Sequence, residues 1–390
     1  MRARFLGLVA ASALLVAGNG AFAQDKVRIG LIYTLTGPAA TLGQQSKNAF
    51  ELAVKHLGGK MGGKDVELFV ADDGLKPDVA IQKVNELIEK NKVDIVVGPI
   101  FSNVLQAIHK PVIDAGKIFI STNAGASSYA GAACHPNFFV TSYQNDQIFE
   151  TLGKVATDKG YKRVYAMVPN YQAGKDALAG FKRAYKGTLV EESLVPLNNL
   201  DFQADLTKLS SLKPDALFTF MPGGLGISLI KQFNQAGLKG KMPILSAFTA
   251  DEATLPALQD AADGIFGALT WAPNMDNPQN KKFVADYEAA YNAVPASYAM
   301  QAYDAAMLIN SAAVALKGDL SKSAAVSAEL KKANFTSLRG AFKFNVNGYP
   351  IEDFYLTKVA KRADGKYQTE VVEKVLSATA DSYAKDCKAK

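Results

Sequence analysis

The sequence predicts an α/β protein made of two doubly wound parallel-sheet lobes, and three observations carry that reading. Apolar strand-like runs alternate with helical stretches of about 10–15 residues along most of the chain, the pattern that builds parallel strands covered by helices on both faces. About a dozen such strands are too many for one open sheet, so two sheets are needed. A chain of 390 residues, 48% hydrophobic and 21% charged, fits two or three globular domains and excludes a single small one.

The elements follow in order. A strand at 27–33 is an unbroken apolar run; a Gly/Pro turn at 34–43 and a helix at 46–56 with apolar residues at helical spacing come next. A strand at 66–71, a helix at 77–90 opened by Pro77 and a strand at 94–98 repeat the unit. Helix 104–115, strand 118–121, helix 147–159, strand 163–168 and helix 174–185 continue it. Strand 189–194, helix 202–211, strand 216–220, helix 226–236 and strands 242–246 and 264–270 complete the alternation. The region of Tyr143 and the Asn/Pro/Asp-rich stretch 271–278 are candidate crossings between lobes. Helices at 280–292 and 297–316, rich in small apolar residues, are expected to return to the first lobe.

Residues 1–23 read as an address. Arg2 and Arg4 precede an apolar stretch that ends in Ala21-Phe22-Ala23, which fits signal-peptide cleavage after Ala23. A membrane anchor needs about 18–20 uninterrupted apolar residues, and Gly18-Asn19-Gly20 breaks this one early. The expected location is outside the cytoplasm. An oxidising compartment favours a disulfide between the only two cysteines, Cys134 and Cys387, tying the C-terminus to the first third of the chain; two free thiols are the alternative.

The 43 Lys+Arg against 37 Asp+Glu form no long like-charge run, which argues for solubility and against a nucleic-acid partner. His56, His109 and His135 are scattered and have no partner at i+4, so no metal site is expected. A Gly-x-Ser-x-Gly elbow and a Walker loop are both missing, and no catalytic residue or cofactor is expected. Gly223-Gly224-Leu225-Gly226 can be read as a phosphate-binding turn or simply as a tight turn. Asp72-Asp73 reads as a loop or cap feature.

The remaining candidate is a cleft at the carboxyl ends of the strands, where loops and helix N-termini gather. Three of those loops are small and hydroxyl-rich: Thr36-Gly37-Pro38, the segment 98–103 and the segment 121–127. Their hydroxyls and free N–H groups suit a carboxylate, while Ser102 and Ser127 are equally suited to capping helices.

The order and spacing of several motifs make the chain resemble the leucine/isoleucine/valine-type periplasmic binding proteins of ABC transporters. The resemblance rests on VRIGLIYTLTGPAATLG at 27–43, VADD at 70–73 with Pro77, and VVGP at 96–99. It continues through Ile120-Ser121, NAG at 123–125, and Pro295 with Ser297-Tyr298. It implies the type I fold, two lobes joined by a three-stranded hinge that close like a flytrap around a small solute. The implied lobes are 24–143 with 273–346, and 144–272 with 347–390. It also implies a permease in the inner membrane as partner and a monomeric binding protein.

Carried over by residue, the family's carboxylate pocket falls on Ser102, on Ala124 through its backbone, and on Gly125, where relatives often have Thr; Asn123 beside them is a further expected ligand-binding residue. Leu42, Phe101, Tyr171 or Ala173, Phe220, Met221 and Tyr298 match positions that pack on the ligand. The acidic residue that receives an amino acid's ammonium in branched-chain binders falls on Phe248, with Asp251 and Glu252 nearby as substitutes. An ammonium buried without an acidic partner loses hydration that nothing repays. Phe101, Tyr171, Phe220, Phe248, Trp271 and Tyr298 instead suit a flat apolar acid. The expected ligand is an aromatic carboxylate, benzoate- or cinnamate-like. A branched-chain amino acid, or a role as ligand-sensing subunit for a membrane kinase, is the alternative.

Overall fold

The computed structural model describes residues 26–388. The expected signal peptide lies outside the described residues. The first sheet contains β1 (Lys26–Tyr33), β2 (Lys60–Met61), β3 (Lys64–Asp72), β4 (Ile95–Val97), β5 (Ile118–Ser121) and β6 (Phe138–Val140). Their order is β2-β3-β1-β4-β5-β6, parallel throughout except for the short β2–β3 pair. The second contains β7 (Arg163–Pro169), β8 (Thr188–Val195), β9 (Ala216–Thr219), β10 (Ile244–Ser246) and β11 (Phe266–Leu269), joined by β12 (Lys343–Phe344), β13 (Pro350–Lys361) and β14 (Tyr367–Thr379). Here β8-β7-β9-β10-β11 run parallel, and β13 is antiparallel to β11, β12 and β14.

The first sheet is flanked by α1 (Ala40–His56), α2 (Pro77–Asn85) and α3 (Ser102–Asp114), and the second by α4 (Asn145–Asp158), α5 (Gln172–Ala184), α6 (Gln203–Leu212), α7 (Gly224–Gln235) and the short α8 (Leu255–Leu258). Three later helices are α9 (Pro278–Tyr291), α10 (Ser297–Ala315) and α11 (Ser323–Lys331). Central strands are apolar on both sides because both faces are covered: Ile95, Val96 and Val97 of β4 are all fully buried. The return of α10 to the first lobe is fixed by polar bonds inside that packing. The Gln45 side chain donates to the Val294 carbonyl (3.2 Å) and accepts from the Ala296 N–H (3.0 Å), and Ser46 Oγ donates to the Tyr298 carbonyl (3.1 Å).

The chain passes between the sheets three times: at 141–144, at 270–277 and after α11. Arg339 binds the first and third passages together. Its guanidinium donates to the carbonyls of Thr141 (2.7 Å) and Ser142 (2.8 Å), to Glu352 Oε2 (2.6 Å) and to Asp304 Oδ2 (3.3 Å). All three charged side chains are at most 3% exposed. The middle passage is pinned by Asn280, which accepts from Trp271 Nε1 (2.7 Å), and it meets the third through Asn277 Nδ2 donating to the Leu338 carbonyl (3.0 Å). Cys134 and Cys387 form a disulfide across a sequence separation of 253, with Cα atoms 5.6 Å apart.

The antiparallel β13–β14 hairpin is absent from the sequence reading. Its strands carry many charged residues on the open face, which masks their period. The signal that marks it is Asp364-Gly365, a hairpin dipeptide between two alternating runs.

Candidate ligand-binding site

A narrow enclosed chamber lies between the lobes at the carboxyl ends of both sets of strands, where ligand sites of open α/β sheets form. From the first lobe Leu42, Ile100, Phe101, Ser102, Asn123 and Ala124 line it; from the second, Phe149, Tyr171, Ala173, Phe220, Pro222 and Phe248. Tyr143 reaches it from the first passage, Asn145 from the start of α4 and Tyr298 from the start of α10. A larger basin, bordered by Lys26, Arg28, Lys92 and Lys117, is open to solvent at the opposite strand ends and has no contact with this chamber.

Aromatic rings form a continuous belt that crosses the lobe boundary twice. Phe101 meets Tyr171 (6.0 Å between centroids), Tyr171 stacks on Phe220 (6.2 Å), Phe220 meets Phe248 edge-on (6.2 Å), and Phe248 packs on Tyr298 (5.8 Å). Tyr143 stacks on Phe248 at 5.3 Å. Phe248 sits in this belt with φ of 57°, a left-handed conformation that costs a bulky residue about 1–3 kcal/mol, so the surrounding rings hold a strained backbone in place.

The polar end is built on uncapped helix N-termini. α3 begins at Ser102 and no side chain caps it, which leaves its first N–H groups and the positive end of its dipole at the chamber wall. α4, α5 and α10, which supply Asn145, Ala173 and Tyr298, also start without a side-chain cap. The Asn123 side chain is engaged, its Nδ2 donating to the Ile100 carbonyl (2.7 Å) and its Oδ1 accepting from Tyr143 Oη (3.3 Å). Neither the Tyr171 nor the Tyr298 hydroxyl has a hydrogen-bond partner among the described residues, and burial pushes both above the ordinary phenol range.

Nine of the eleven residues expected at a ligand lie on the chamber wall, and two do not. Met221 follows Phe220 on extended chain, so it points the opposite way, into the core of the second lobe. Gly125 is spent on the first passage: its N–H donates to Asn145 Oδ1 (3.1 Å), and its carbonyl accepts from the Asn145 N–H (2.8 Å). A Cβ at Gly125 would lie 1.8 Å from the Tyr143 carbonyl oxygen, which explains why no threonine stands there. Trp271 is buried beside Asn280 and away from the chamber. Ser102 and Ser127 do not cap helices with their side chains; Ser127 Oγ donates instead to Asp176 (2.6 Å). Asn145, Tyr143 and Phe149 were missed. The signal for them is Asn145 and Phe149 at i,i+4, one face of the helix that follows the first crossing.

The substitutes for an ammonium partner do not line the chamber. Glu252 Oε1 accepts from the Thr369 N–H (2.7 Å) and Oγ1 (2.6 Å) in β14; Asp251 Oδ1 accepts from the Ala253 N–H (3.1 Å), while its Oδ2 has no hydrogen-bond partner among the described residues and its charge acts on Tyr143 and Tyr298 of the wall. Burial pushes Asp251 up to about 6 and, with the Asp251 charge beside it, Glu252 up to about 7. Among the described residues, no Asp, Glu, Lys, Arg or His lines the chamber. The glycine run 223–226 is a contact between lobes: the Gly224 N–H donates to the Pro38 carbonyl (3.0 Å), and a Cβ there would lie 2.8 Å from Pro38 Cβ. Asp72 and Asp73 hold their own loop, accepting from the Leu35 N–H (2.8 Å) and Thr34 Oγ1 (2.6 Å). Among the described residues no group of three or more His, Cys, Asp or Glu could hold a metal, and no helix is long and apolar enough to cross a membrane.

Two parallel-dominated sheets joined by three passages around an enclosed chamber make the fold of the type I periplasmic binding proteins. Residues 26–366 match the family described as periplasmic binding protein, and the chain belongs to that family. An R. palustris ABC transporter solute-binding protein in complex with benzoate is 32% identical, with a TM-score of 0.88 over 93% of this chain and 99% of that one. A solute-binding protein from Rhodopseudomonas palustris BisB5, in complex with 3,4-dihydroxybenzoic acid, is 30% identical with a TM-score of 0.85 over 92% and 99%. The Leu/Ile/Val-binding protein homolog 6 of Brucella melitensis is 29% identical over 94% of this chain and 96% of its own length. The protein is therefore a periplasmic solute-binding protein of the ABC-transporter type.

Proposed function

We propose that the protein captures a small aromatic carboxylate in the chamber and passes it, chemically unchanged, to the permease of an ABC importer. The lobes 24–143 with 273–346 and 144–272 with 347–390 act as the two jaws, and the ligand favours the closed form because only there do both jaws touch it. The observation that carries the reading is the lining: a belt of rings, one polar end rich in N–H and hydroxyl groups, and no charged side chain. A zwitterionic amino acid would bury its ammonium there unpaired. The unpartnered hydroxyls of Tyr171 and Tyr298 are available to a hydroxyl on the guest's ring.

The magnitudes are sufficient. Burying about 200 Å² of apolar guest surface gains roughly 5 kcal/mol, and charge-assisted bonds to the carboxylate add a few kcal/mol more. After association costs, a dissociation constant near micromolar is expected, about −8 kcal/mol. The name of the Brucella relative favours the second reading, a branched-chain amino acid. A thermal-shift panel separates the two: benzoate, 4-hydroxybenzoate and cinnamate are expected to raise the melting temperature. Stabilisation confined to leucine, isoleucine or valine refutes the aromatic-acid assignment.

A further inference from the structure

We infer that Asn145 and Asp176 form a relay that turns the Ser102 hydroxyl into a hydrogen-bond donor aimed into the chamber, and that lobe closure completes the relay. The inference rests on reading the chamber as the ligand site and says how that site distinguishes a carboxylate from a neutral group of the same shape.

The argument starts from the Asn145 amide, which is 3% exposed and has each polar atom engaged. Its Oδ1 accepts from the Gly125 N–H (3.1 Å), while its Nδ2 donates to Asp176 Oδ2 (2.9 Å) and to Ser102 Oγ (3.2 Å). The amide can face only one way. Turned over, it would set a carbonyl oxygen against the Asp176 carboxylate and an N–H against the Gly125 N–H. Asn145 therefore occupies an acceptor position of Ser102 Oγ. The Ser102 hydroxyl hydrogen has no acceptor among the described residues, and Ser102 lines the chamber at 1% exposure. The hydrogen is left to point at the guest, beside the uncapped N–H groups of α3.

Asp176 is what holds the amide in that sense, and it is assembled across the lobes. It lies on α5 of the second lobe, yet its carboxylate accepts from Ser127 Oγ (2.6 Å) and the Ser127 N–H (3.1 Å) of the first, as well as from its own neighbour Gln172 (2.8 Å). Both oxygens are thereby fixed as acceptors. Opening the jaws separates Asp176 from Ser127 and releases the constraint. Asn145 and Asp176 are positioning residues: they act on the guest through Ser102.

The test is the ratio of benzoate to benzamide affinity, measured by calorimetry on the disulfide-intact protein. The wild type is expected to prefer benzoate by about 100-fold, because the amide's N–H₂ would meet only donors. Ser102→Ala is expected to weaken benzoate binding by about tenfold or more. Asp176→Ala, which removes the acceptor that holds Asn145 Nδ2 and leaves only the Gly125 N–H to orient the amide, and Asn145→Ala, which frees Ser102 to accept, are each expected to cut the ratio by about tenfold. A purely structural role would weaken both guests equally, so variants that keep the wild-type ratio overturn the relay. If either variant fails to fold, Ser127→Ala, which removes only the side-chain donor from across the cleft, is read the same way. If the wild type binds L-leucine and not benzoate, the aromatic reading falls, and the ratio of L-leucine to L-leucinamide judges the relay separately. A protein that binds neither pair overturns both.

Discussion

The chamber and the hinge are one residue apart in the chain, at Tyr143 and Ser142, and they are built from opposite materials. The hinge buries Arg339 within hydrogen-bond distance of both Asp304 and Glu352, whereas the chamber wall holds rings, aliphatic side chains, two side-chain amides and one serine. Charge at the hinge is used up on fixed internal partners and on the carbonyls of the first passage. Charge at the chamber would have to be matched by each guest. On the proposed function the difference makes the neutral wall a selective device: it offers an anion uncapped N–H groups and gives a cation no carboxylate partner.

Three perturbations test that contrast, taken from the largest effect down. Arg339→Met strands Asp304 and Glu352 in the interior, and loss of one member of a buried ionic cluster costs about 3–5 kcal/mol. Chemical denaturation is expected to show that loss, and restoring it in part should require neutralising both acids; a variant as stable as the wild type would show that the cluster does not hold the hinge. Phe248→Asp carries charge into the chamber. It is expected to weaken benzoate by about 100-fold, close to 3 kcal/mol, while strengthening L-leucine; unchanged selectivity would show that the neutral wall does not choose the guest.

The third perturbation is pH. Burial, with the Asp251 charge beside it, pushes Glu252 up to about 7, so the folded chain holds this proton more tightly than the unfolded chain does. Its stabilising contribution is complete below the ordinary glutamate range and is lost as pH rises through about 7. Melting temperature is expected to fall between pH 5 and pH 8, by the equivalent of about 2–3 kcal/mol. Glu252→Gln should flatten that slope, and a melting temperature that rises over the interval contradicts the assignment.

Much of this was legible in the sequence, for identifiable reasons. Buried parallel strands are apolar on both faces, so β1, β4 and β5 stand out, and the loops at their carboxyl ends supply Leu42, Phe101, Ser102 and Asn123 to the chamber. Neighbouring positions were harder. Phe220 and Met221 differ only in which side of an extended chain they face, and that depends on the sheet beneath them. Asp176 gave no local sign, because its role comes from a partner 49 residues away, Ser127. That Tyr143 reaches the chamber depends on the stack it forms with Phe248, which the chain around it does not signal.

The bridge between Cys134 and Cys387 has a topological consequence. Every passage between the halves falls inside the loop that this bond closes. A protease that cuts the backbone once at any of them leaves a single covalent molecule, and the two pieces separate only after reduction.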